Sequence, residues 1–255
     1  MTLHCEVHGN GADLVLLHGW GMNAAVWDDV AADLAKHFRV HCVDLPGYGN
    51  SSVSQPYTLA GMTDALAAVL PCPAVVCGWS LGGQVALNWA LHAPRQVERL
   101  VLIATTPRFV NGAQWESGID AVLFEGLARD LADDYRATLQ RFLGLQAQDD
   151  ADARAVLRRL RGMMLKRGEP VVAALAAGLQ ILKETDLRDS LPQISQPALI
   201  LHGERDAIVP LAAGVYLQRT LPRAVLEVCA GAAHAPFVAC PRRAALRIVE
   251  FCRER

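Results

Sequence analysis

The sequence lacks both a long apolar run and an excess of basic charge. No segment offers the about 18 consecutive apolar residues that a helix needs to cross a bilayer, and the amino terminus, MTLHCEVHGNGADLVLLHGW, has no basic region before an apolar one. A formal net charge of −2 gives no general attraction to nucleic acid or to an anionic membrane. We therefore expect a cytoplasmic protein that binds neither, so that any charged partner must meet a local patch; separately, we expect a monomer.

Cysteine shows no framework pattern. The seven cysteines form an odd, scattered set, and several lie inside apolar runs such as AVVCGWS, where a thiol acts as a small apolar side chain. This distribution argues against a disulfide framework. His4, Cys5 and His8 stand close together without a second group of ligands, so no metal site is predicted.

Apolar residues are abundant and occur in short runs. With 52% hydrophobic residues, a chain of 255 can bury a large core in one large domain or two small ones. Continuous apolar runs followed by turn signals predict strands buried on both faces, and helical patterns lie between them. The alternation predicts a mostly parallel sheet with helices on both faces. The runs are ADLVLL, FRVHCVD, PAVVCGWS, ERLVLIATT, PALILHG and AVLEVCAG, and the helical patterns cover roughly residues 24–36, 58–69, 81–92, 211–220 and 241–253.

One interval breaks this alternation. About 90 residues separate the strand ending near Ala104 from the strand starting near Ala198, far more than a crossover needs. We predict that residues 1–108 and 190–255 form the core and that residues 109–189 form an inserted helical cap. The cap is polarised in charge, with six acids and one base in residues 109–134 and six bases and no acid in residues 153–168.

The segment Gly78-Trp79-Ser80-Leu81-Gly82 matches G-x-S-x-G, and it follows a predicted strand and opens a predicted helix. In that context the motif predicts a sharp turn that lifts Ser80 above the sheet, while glycines let neighbouring backbone approach closely. The helix amino terminus and the amide of Leu81 then face any negative charge that develops near Ser80. Ser80 is the predicted nucleophile.

A serine nucleophile needs a histidine base and an acid that orients the base. Of eight histidines, His234 in AGAAHAPF lies just past the last predicted strand, at the carboxyl end of the sheet where Ser80 also lies. Asp206 in LILHGERDAIVP follows the preceding strand and is the predicted acid, with Glu204 and Asp44 as rivals. Asp44 precedes Pro46 and is typical of a turn former.

The second oxyanion donor is expected in the loop after the first predicted strand. There, two glycines flank Trp20, whose amide we predict to act with that of Leu81. Position favours an ordering role for His18 in this loop over proton transfer. The side chains of Trp20 and Trp79 flank the site and are expected to form apolar walls. Phe142 is interpreted either as core or as the lining of an acyl channel.

Together, the loop around Trp20, the Ser80 motif, Asp206 and His234 resemble the α/β-hydrolase family over nearly the whole chain. The resemblance implies an α/β-hydrolase fold with a mostly parallel central sheet and an inserted cap. Within the family, segments across the chain resemble the methyl ester esterases of biotin synthesis that act on a pimeloyl chain carried by an acyl-carrier protein. These segments are LVLLHGWGMNAAVW, VDLPGYGNS, GWSLGGQVA, ATTPRF, RFLGLQ, GLQILKETDLR and AAHAPF.

This resemblance implies a serine carboxylesterase that needs no metal or organic cofactor. Its partner would be the carrier protein bearing the substrate, with small esters as further substrates. Arg154, Arg158 and Arg161 fall on one face of a predicted helix, which is interpreted as a solvated face or, as the resemblance favours, a docking patch for an acidic carrier.

Two alternatives to this function stay open from the sequence. One is a hydrolase of the same fold that acts on small esters in general, on lipids or on carbon–carbon bonds, since the cap decides the substrate. The other is a binding module without turnover, although the intact Ser80, Asp206 and His234 argue against it. Dehalogenase and epoxide hydrolase chemistry is disfavoured because a serine, not a carboxylate, holds the nucleophile position.

Overall fold

A single sheet runs through the structure, a computed structural model that describes residues 2–53 and 55–254. The strand order is β1-β3-β2-β4-β5-β6-β7; β1 is antiparallel to β3, and every other neighbouring pair is parallel. The predicted mostly parallel sheet is therefore confirmed. Within the described ranges the seven strands are β1 (Cys5–His8), β2 (Asp13–Leu17), β3 (Arg39–Val43), β4 (Ala74–Trp79), β5 (Val97–Ile103), β6 (Ala198–Gly203) and β7 (Ala224–Cys229).

The helices between the strands follow the sequence patterns closely. Three predicted helices have the bounds of α3, α8 and α10, whereas the pattern at residues 24–36 divides into a 3₁₀ turn (Ala24–Trp27) and α1. In the described ranges the ten α-helices are α1 (Asp28–Leu34), α2 (Leu59–Ala67), α3 (Leu81–His92), α4 (Ala121–Asp133), α5 (Tyr135–Gln146), α6 (Ala153–Met164), α7 (Val172–Glu184), α8 (Leu211–Thr220), α9 (Pro236–Ala239) and α10 (Pro241–Arg253).

The two edges of the sheet differ from the sequence expectation. β1 was not predicted, because its four residues form no apolar run and its Val7 is 52% exposed. β7 was expected to be buried on both faces, and this is wrong: Val225 and Val228 are 46% and 38% exposed. Each of these strands has a single neighbour, so only the inner strands β2 to β6 are enclosed on both sides.

Helices α4 to α7 lie between β5 and β6 in the chain, inside the interval predicted to be a cap. α6 shows how this segment packs. Its apolar face buries Val156, Leu160, Met163 and Met164, while its opposite face is exposed. Across the described residues, no helix combines the length and the apolarity that spanning a membrane would require.

Candidate active site

Ser80 occupies the turn between β4 and α3 in a strained backbone conformation. Its φ of 54° and ψ of −116° lie in a region of backbone conformation that residues other than glycine rarely adopt. The conformation is held from both sides, since the Ser80 N–H donates to the carbonyl of Ile103 at 3.0 Å and the Thr105 hydroxyl donates to the Ser80 carbonyl at 2.7 Å. The β5 end therefore fixes the predicted nucleophile at the carboxyl edge of the sheet.

The glycines of the motif permit this turn. A Cβ atom on Gly78 would collide with the carbonyl oxygen of Gly82, and a Cβ atom on Gly82 would collide with the carbonyl oxygen of Leu17. The turn thus folds onto itself and onto the end of β2 at backbone contact distance. This close approach explains why the motif has glycine at both positions, because any larger residue at either one would displace Ser80.

His234 and Asp206 meet as the sequence predicted. Their Nδ1 and Oδ2 atoms lie 2.8 Å apart, and both residues are buried. The other oxygen of Asp206 accepts the backbone N–H groups of Ile208 at 2.9 Å and Val209 at 2.8 Å, which orients the carboxylate. Since a carboxylate only accepts, Nδ1 of His234 carries a proton and Nε2 is free to take one.

Trp79 joins the histidine loop to the serine turn. Its indole N–H donates to the carbonyl of His234 at 2.8 Å, and the two rings lie 5.6 Å apart. The indole also packs edge-on against Phe237 at 5.2 Å. No hydrogen bond joins Ser80 to His234 within the described residues, and such contacts commonly tighten only when substrate binds. Trp79 therefore connects the serine turn to the loop of His234, in addition to the apolar-wall role that we expected.

The two rival acids have structural contacts instead. Glu204 is exposed, and its carboxylate accepts the Gly231 N–H at 2.8 Å. Asp44 is fully buried and accepts the N–H groups of Ala24 at 2.7 Å and Asn50 at 3.0 Å, so it shapes two loops. Neither carboxylate has a hydrogen bond to His234 among the described residues.

His18 orders the loop that carries Trp20. Its Nε2 accepts the Leu45 N–H at 3.0 Å, which leaves the proton on Nδ1, 2.8 Å from the Gly19 carbonyl. Burial lowers the pKa of this imidazole to about 4, so it is neutral at neutral pH. Another of the eight histidines, His202, has its Nε2 atom 3.7 Å from Oδ2 of Asp206 and 2.8 Å from the Val209 carbonyl, and burial lowers its pKa as well.

The predicted oxyanion donors have free backbone amides. In the described part of the chain, no hydrogen-bond acceptor is recorded for the N–H of Trp20, or for that of Leu81 at the start of α3. The Trp20 side chain is buried against α5 and α7: its indole N–H donates to the Leu175 carbonyl on α7 at 2.8 Å, and its ring meets Phe142 of α5 edge-on at 4.9 Å. Trp20 and Phe142 are thus in contact, and both are buried.

The six bases of residues 153–168 divide into two groups. Three of them pair with core acids: Arg159 with Asp29 at 2.9 Å, Lys166 with Asp28 at 2.6 Å, and Arg167 with Glu6 at 2.6 Å. The sequence suggested a uniformly basic segment without acidic partners, and for these three residues that is wrong. Arg154, Arg158 and Arg161 are exposed on α6, and no ion pair is recorded for them among the described residues.

Two residues at and after the end of α5 contact the loop of His234, and sequence analysis did not identify them. The Asp150 carboxylate accepts the Ala233 N–H at 2.9 Å, and the Gln146 carbonyl accepts the His234 N–H at 3.2 Å. No local motif marks either residue, because each contact joins segments more than 80 positions apart. Only the tertiary structure places them beside the predicted base.

Comparison with known proteins gives consistent matches. A family model described as alpha/beta hydrolase fold matches residues 14–239. A pimeloyl-[acyl-carrier protein] methyl ester esterase of Nitrosomonas europaea is 46% identical over 242 residues, covering 95% of this chain and 96% of the relative. A protein of the same name from Nitrosospira multiformis is 39% identical and covers 99% of both chains.

Solved structures agree on the architecture. An esterase from Exiguobacterium antarcticum superposes with a TM-score of 0.88 at 23% identity, over 99% of this chain and 96% of that one, which supports the fold alone. A thermophilic esterase from Thermogutta terrifontis, with malate bound, gives a TM-score of 0.83 at 27% identity, over 98% of this chain and 93% of that one.

Proposed function

Since this chain belongs to the α/β-hydrolase family, we propose that it is a serine carboxylesterase that hydrolyses the methyl ester of a pimeloyl group carried by an acyl-carrier protein. One observation carries the proposal: Trp79, next to the strained Ser80, bonds to the His234 of a buried His234–Asp206 pair, in a chain 46% identical to an esterase of that name. The triad comes from a single chain, which agrees with a monomer, and we place the protein with its carrier in the cytoplasm.

Hydrolysis proceeds through an acyl-enzyme. The Ser80 hydroxyl attacks the ester carbonyl carbon while Nε2 of His234 takes the hydroxyl proton. The tetrahedral intermediate collapses, and His234 returns that proton to the departing methoxide, which leaves as methanol. A water molecule, deprotonated by His234, then attacks the acyl-enzyme and releases the free carboxylic acid and Ser80. Asp206 keeps the imidazole in the required tautomer throughout and stabilises its protonated form.

The negative charge of the tetrahedral intermediate falls where two free amides are available. The N–H of Leu81 lies at the amino terminus of α3, where the helix dipole also favours negative charge. The N–H of Trp20 comes from the loop that His18 orders. Because the backbone holds both donors before substrate arrives, little reorganisation is needed in the transition state.

The acyl chain lies against Trp20 and Phe142. These two rings meet edge-on where the loop that carries Trp20 packs on α5, and both are buried, so an acyl chain bound there would contact apolar side chains. Ser80 itself is only 7% exposed, so little of the nucleophile is open to bulk water. Limited access of water to the reacting atoms favours attack by Ser80 over direct hydrolysis.

Carrier recognition falls to Arg154, Arg158 and Arg161. They are exposed on one face of α6, whereas the other three bases nearby are engaged with core acids. Exposed charges act mainly on the encounter with a partner of opposite charge and are screened beyond about 8 Å at physiological salt. An acidic carrier protein is the partner that this patch fits.

Three measurements test the proposal. A serine-directed organophosphonate should attach once per protein molecule, as read from the increase in mass, and peptide mapping should place the label on Ser80. The Ser80→Ala variant should stay unlabelled. The second measurement is kcat/KM for a pimeloyl monomethyl ester on carrier protein against the same ester on a short thiol, and the carrier substrate should be preferred. Labelling elsewhere would contradict the reaction, and equal kcat/KM values would indicate a general short-chain esterase. Turnover inhibited by a chelator and restored by zinc would overturn the metal-free mechanism.

A further inference from the structure

The loop that carries His234 is held by the core on one side. The Glu204 carboxylate accepts the N–H of Gly231 at 2.8 Å, and the N–H of Arg205 donates to the carbonyl of Ala232 at 2.9 Å. These contacts fix residues 231 and 232 against the end of β6. They leave the N–H groups of the next two residues, Ala233 and His234, to be satisfied from elsewhere.

Those N–H groups are satisfied from the cap, by the end of α5 and the turn before α6 (residues 146–152, the α5–α6 turn). The Asp150 carboxylate accepts from Ala233 at 2.9 Å, and the Gln146 carbonyl accepts from His234 at 3.2 Å. A third bond runs the other way, from the Ala151 N–H to the Gly231 carbonyl at 2.9 Å. The cap therefore contributes directly to the position of the proposed base.

Asp150 is built to hold this contact. Its side chain is buried, and its second oxygen accepts the N–H of Asp152 at 2.9 Å, so one carboxylate ties the turn to the histidine loop. Ala233 is fully buried, and its N–H therefore has no ready replacement partner in solvent. Because a buried N–H without an acceptor is strongly disfavoured, loss of this carboxylate should displace the loop.

We propose that Asp150 is a positioning residue that sets His234 relative to Ser80 through the Ala233 backbone. The proposal rests on the proposed function, because it takes His234 as the base. Asp150 acts on the base and not on the substrate, so its loss should lower kcat and leave KM nearly unchanged. A displacement of about 1 Å at a reacting group lowers rates by on the order of 100-fold.

The test uses Asp150→Ala in the full chain, with Asp152→Ala as the matched control. Asp152 carries the same charge on the same turn, but it is exposed, and no hydrogen bond of its side chain is recorded among the described residues. We measure kcat and KM for p-nitrophenyl butyrate, expressed per site labelled by organophosphonate at completion, so that unfolded protein is not counted. We expect kcat to fall about 10- to 100-fold in Asp150→Ala, with KM within about twofold, and to change by less than about twofold in the control.

Asp150→Asn keeps the test decisive if the alanine variant does not fold. Asparagine has one acceptor oxygen for two N–H groups, so we expect a kcat between those of wild type and Asp150→Ala, with a shifted NMR resonance for the proton on His234 Nδ1. Wild-type kcat per labelled site and an unshifted resonance in the asparagine variant would overturn the proposal, as would equal losses in Asp150→Ala and Asp152→Ala. His234→Ala is assayed in parallel: if it retains turnover, the proposed function fails, whatever Asp150 does.

Discussion

The serine turn and helix α6 are held in place by different forces. At the turn, backbone packs on backbone so closely that Gly78 and Gly82 have no space for a side chain. At α6, side chains make the connection, with Arg159 bonded to Asp29 and its exposed neighbour Arg158 left to solvent. The comparison teaches that the proposed chemistry rests on parts that tolerate almost no change, whereas the proposed partner recognition rests on parts that can vary one residue at a time.

The largest effect is expected at Ser80, the proposed nucleophile in the serine turn. Ser80→Ala should reduce kcat by on the order of 10⁴- to 10⁶-fold, because it deletes the attacking oxygen and leaves the turn intact. The Tm from circular dichroism should stay within a few degrees of wild type. Retention of even about a tenth of the activity would show that another group is the nucleophile.

The acid should be nearly as sensitive. Asp206→Asn should lower kcat by on the order of 10⁴-fold, because an amide no longer selects the His234 tautomer with its proton on Nδ1. The matched control is Glu204→Gln on the same loop, which should stay within about threefold, since this exposed residue bonds Gly231 and not the histidine. The opposite ranking of the two variants would assign the orienting role to Glu204.

His18, in the loop that carries Trp20, should make the stability of the fold depend on pH. His18 has a folded pKa of about 4, below its ordinary value of 6.5, because it is buried. The neutral form is thus favoured in the fold, so its stabilising contribution is present above pH 6.5 and is lost as the pH falls toward 4. Urea unfolding across that window should show a loss of at most about 3 kcal/mol.

Two histidine variants, a test and a control, check whether His18 causes this pH dependence. His18→Gln should be less stable than wild type at pH 7, because the Leu45 N–H loses its present acceptor, and its stability should depend less on pH between 6.5 and 4. The control is His37, which is exposed, and in His37→Gln the free energy of unfolding should vary with pH as it does in the wild type. A wild-type slope in His18→Gln would show that a different group controls the acid response.

The smallest effect is expected on α6. Changing Arg154, Arg158 and Arg161 to glutamate should lower kcat/KM roughly 10-fold for the carrier-bound ester at low salt, because attraction to an acidic carrier is lost. Turnover of p-nitrophenyl butyrate should be unchanged, and the salt dependence of the carrier reaction should decrease.

A variant of equal charge change elsewhere separates docking from net charge. Arg95, Arg223 and Arg242 are exposed outside the cap, and changing them to glutamate should leave the carrier reaction nearly intact. Equal losses in both triple variants would reduce the α6 effect to net charge. Loss on both substrates in the α6 variant would mean that the cap is disturbed, and loss on neither would return these arginines to the solvated-face interpretation.

The chemistry of the site could be predicted from the sequence because it depends on local signals. A strained turn needs glycine at fixed positions, so the spacing around Ser80 indicated the turn, which the structure contains, and the proposed nucleophile. The apolar runs likewise located the inner strands, which are buried on both faces. The edge strands were less predictable, because β1 has one neighbour and carries no apolar run.

The connections between distant segments could not be predicted from the sequence. Residues 153–168 contain six bases, and nothing local separates Lys166 and Arg167, which pair with core acids, from Arg161, which faces solvent. The same holds for Asp150, whose partner Ala233 is 83 residues away.

By itself, then, the sequence determined the inner strands and the serine turn, and it predicted the order of serine, acid and base, since each follows from backbone sterics and short-range patterns. The tertiary structure decided which charges are paired and which distant residues contact the loop of His234. Ion pairs and hydrogen bonds between distant segments depend on how the whole chain packs, and no local pattern encodes that packing.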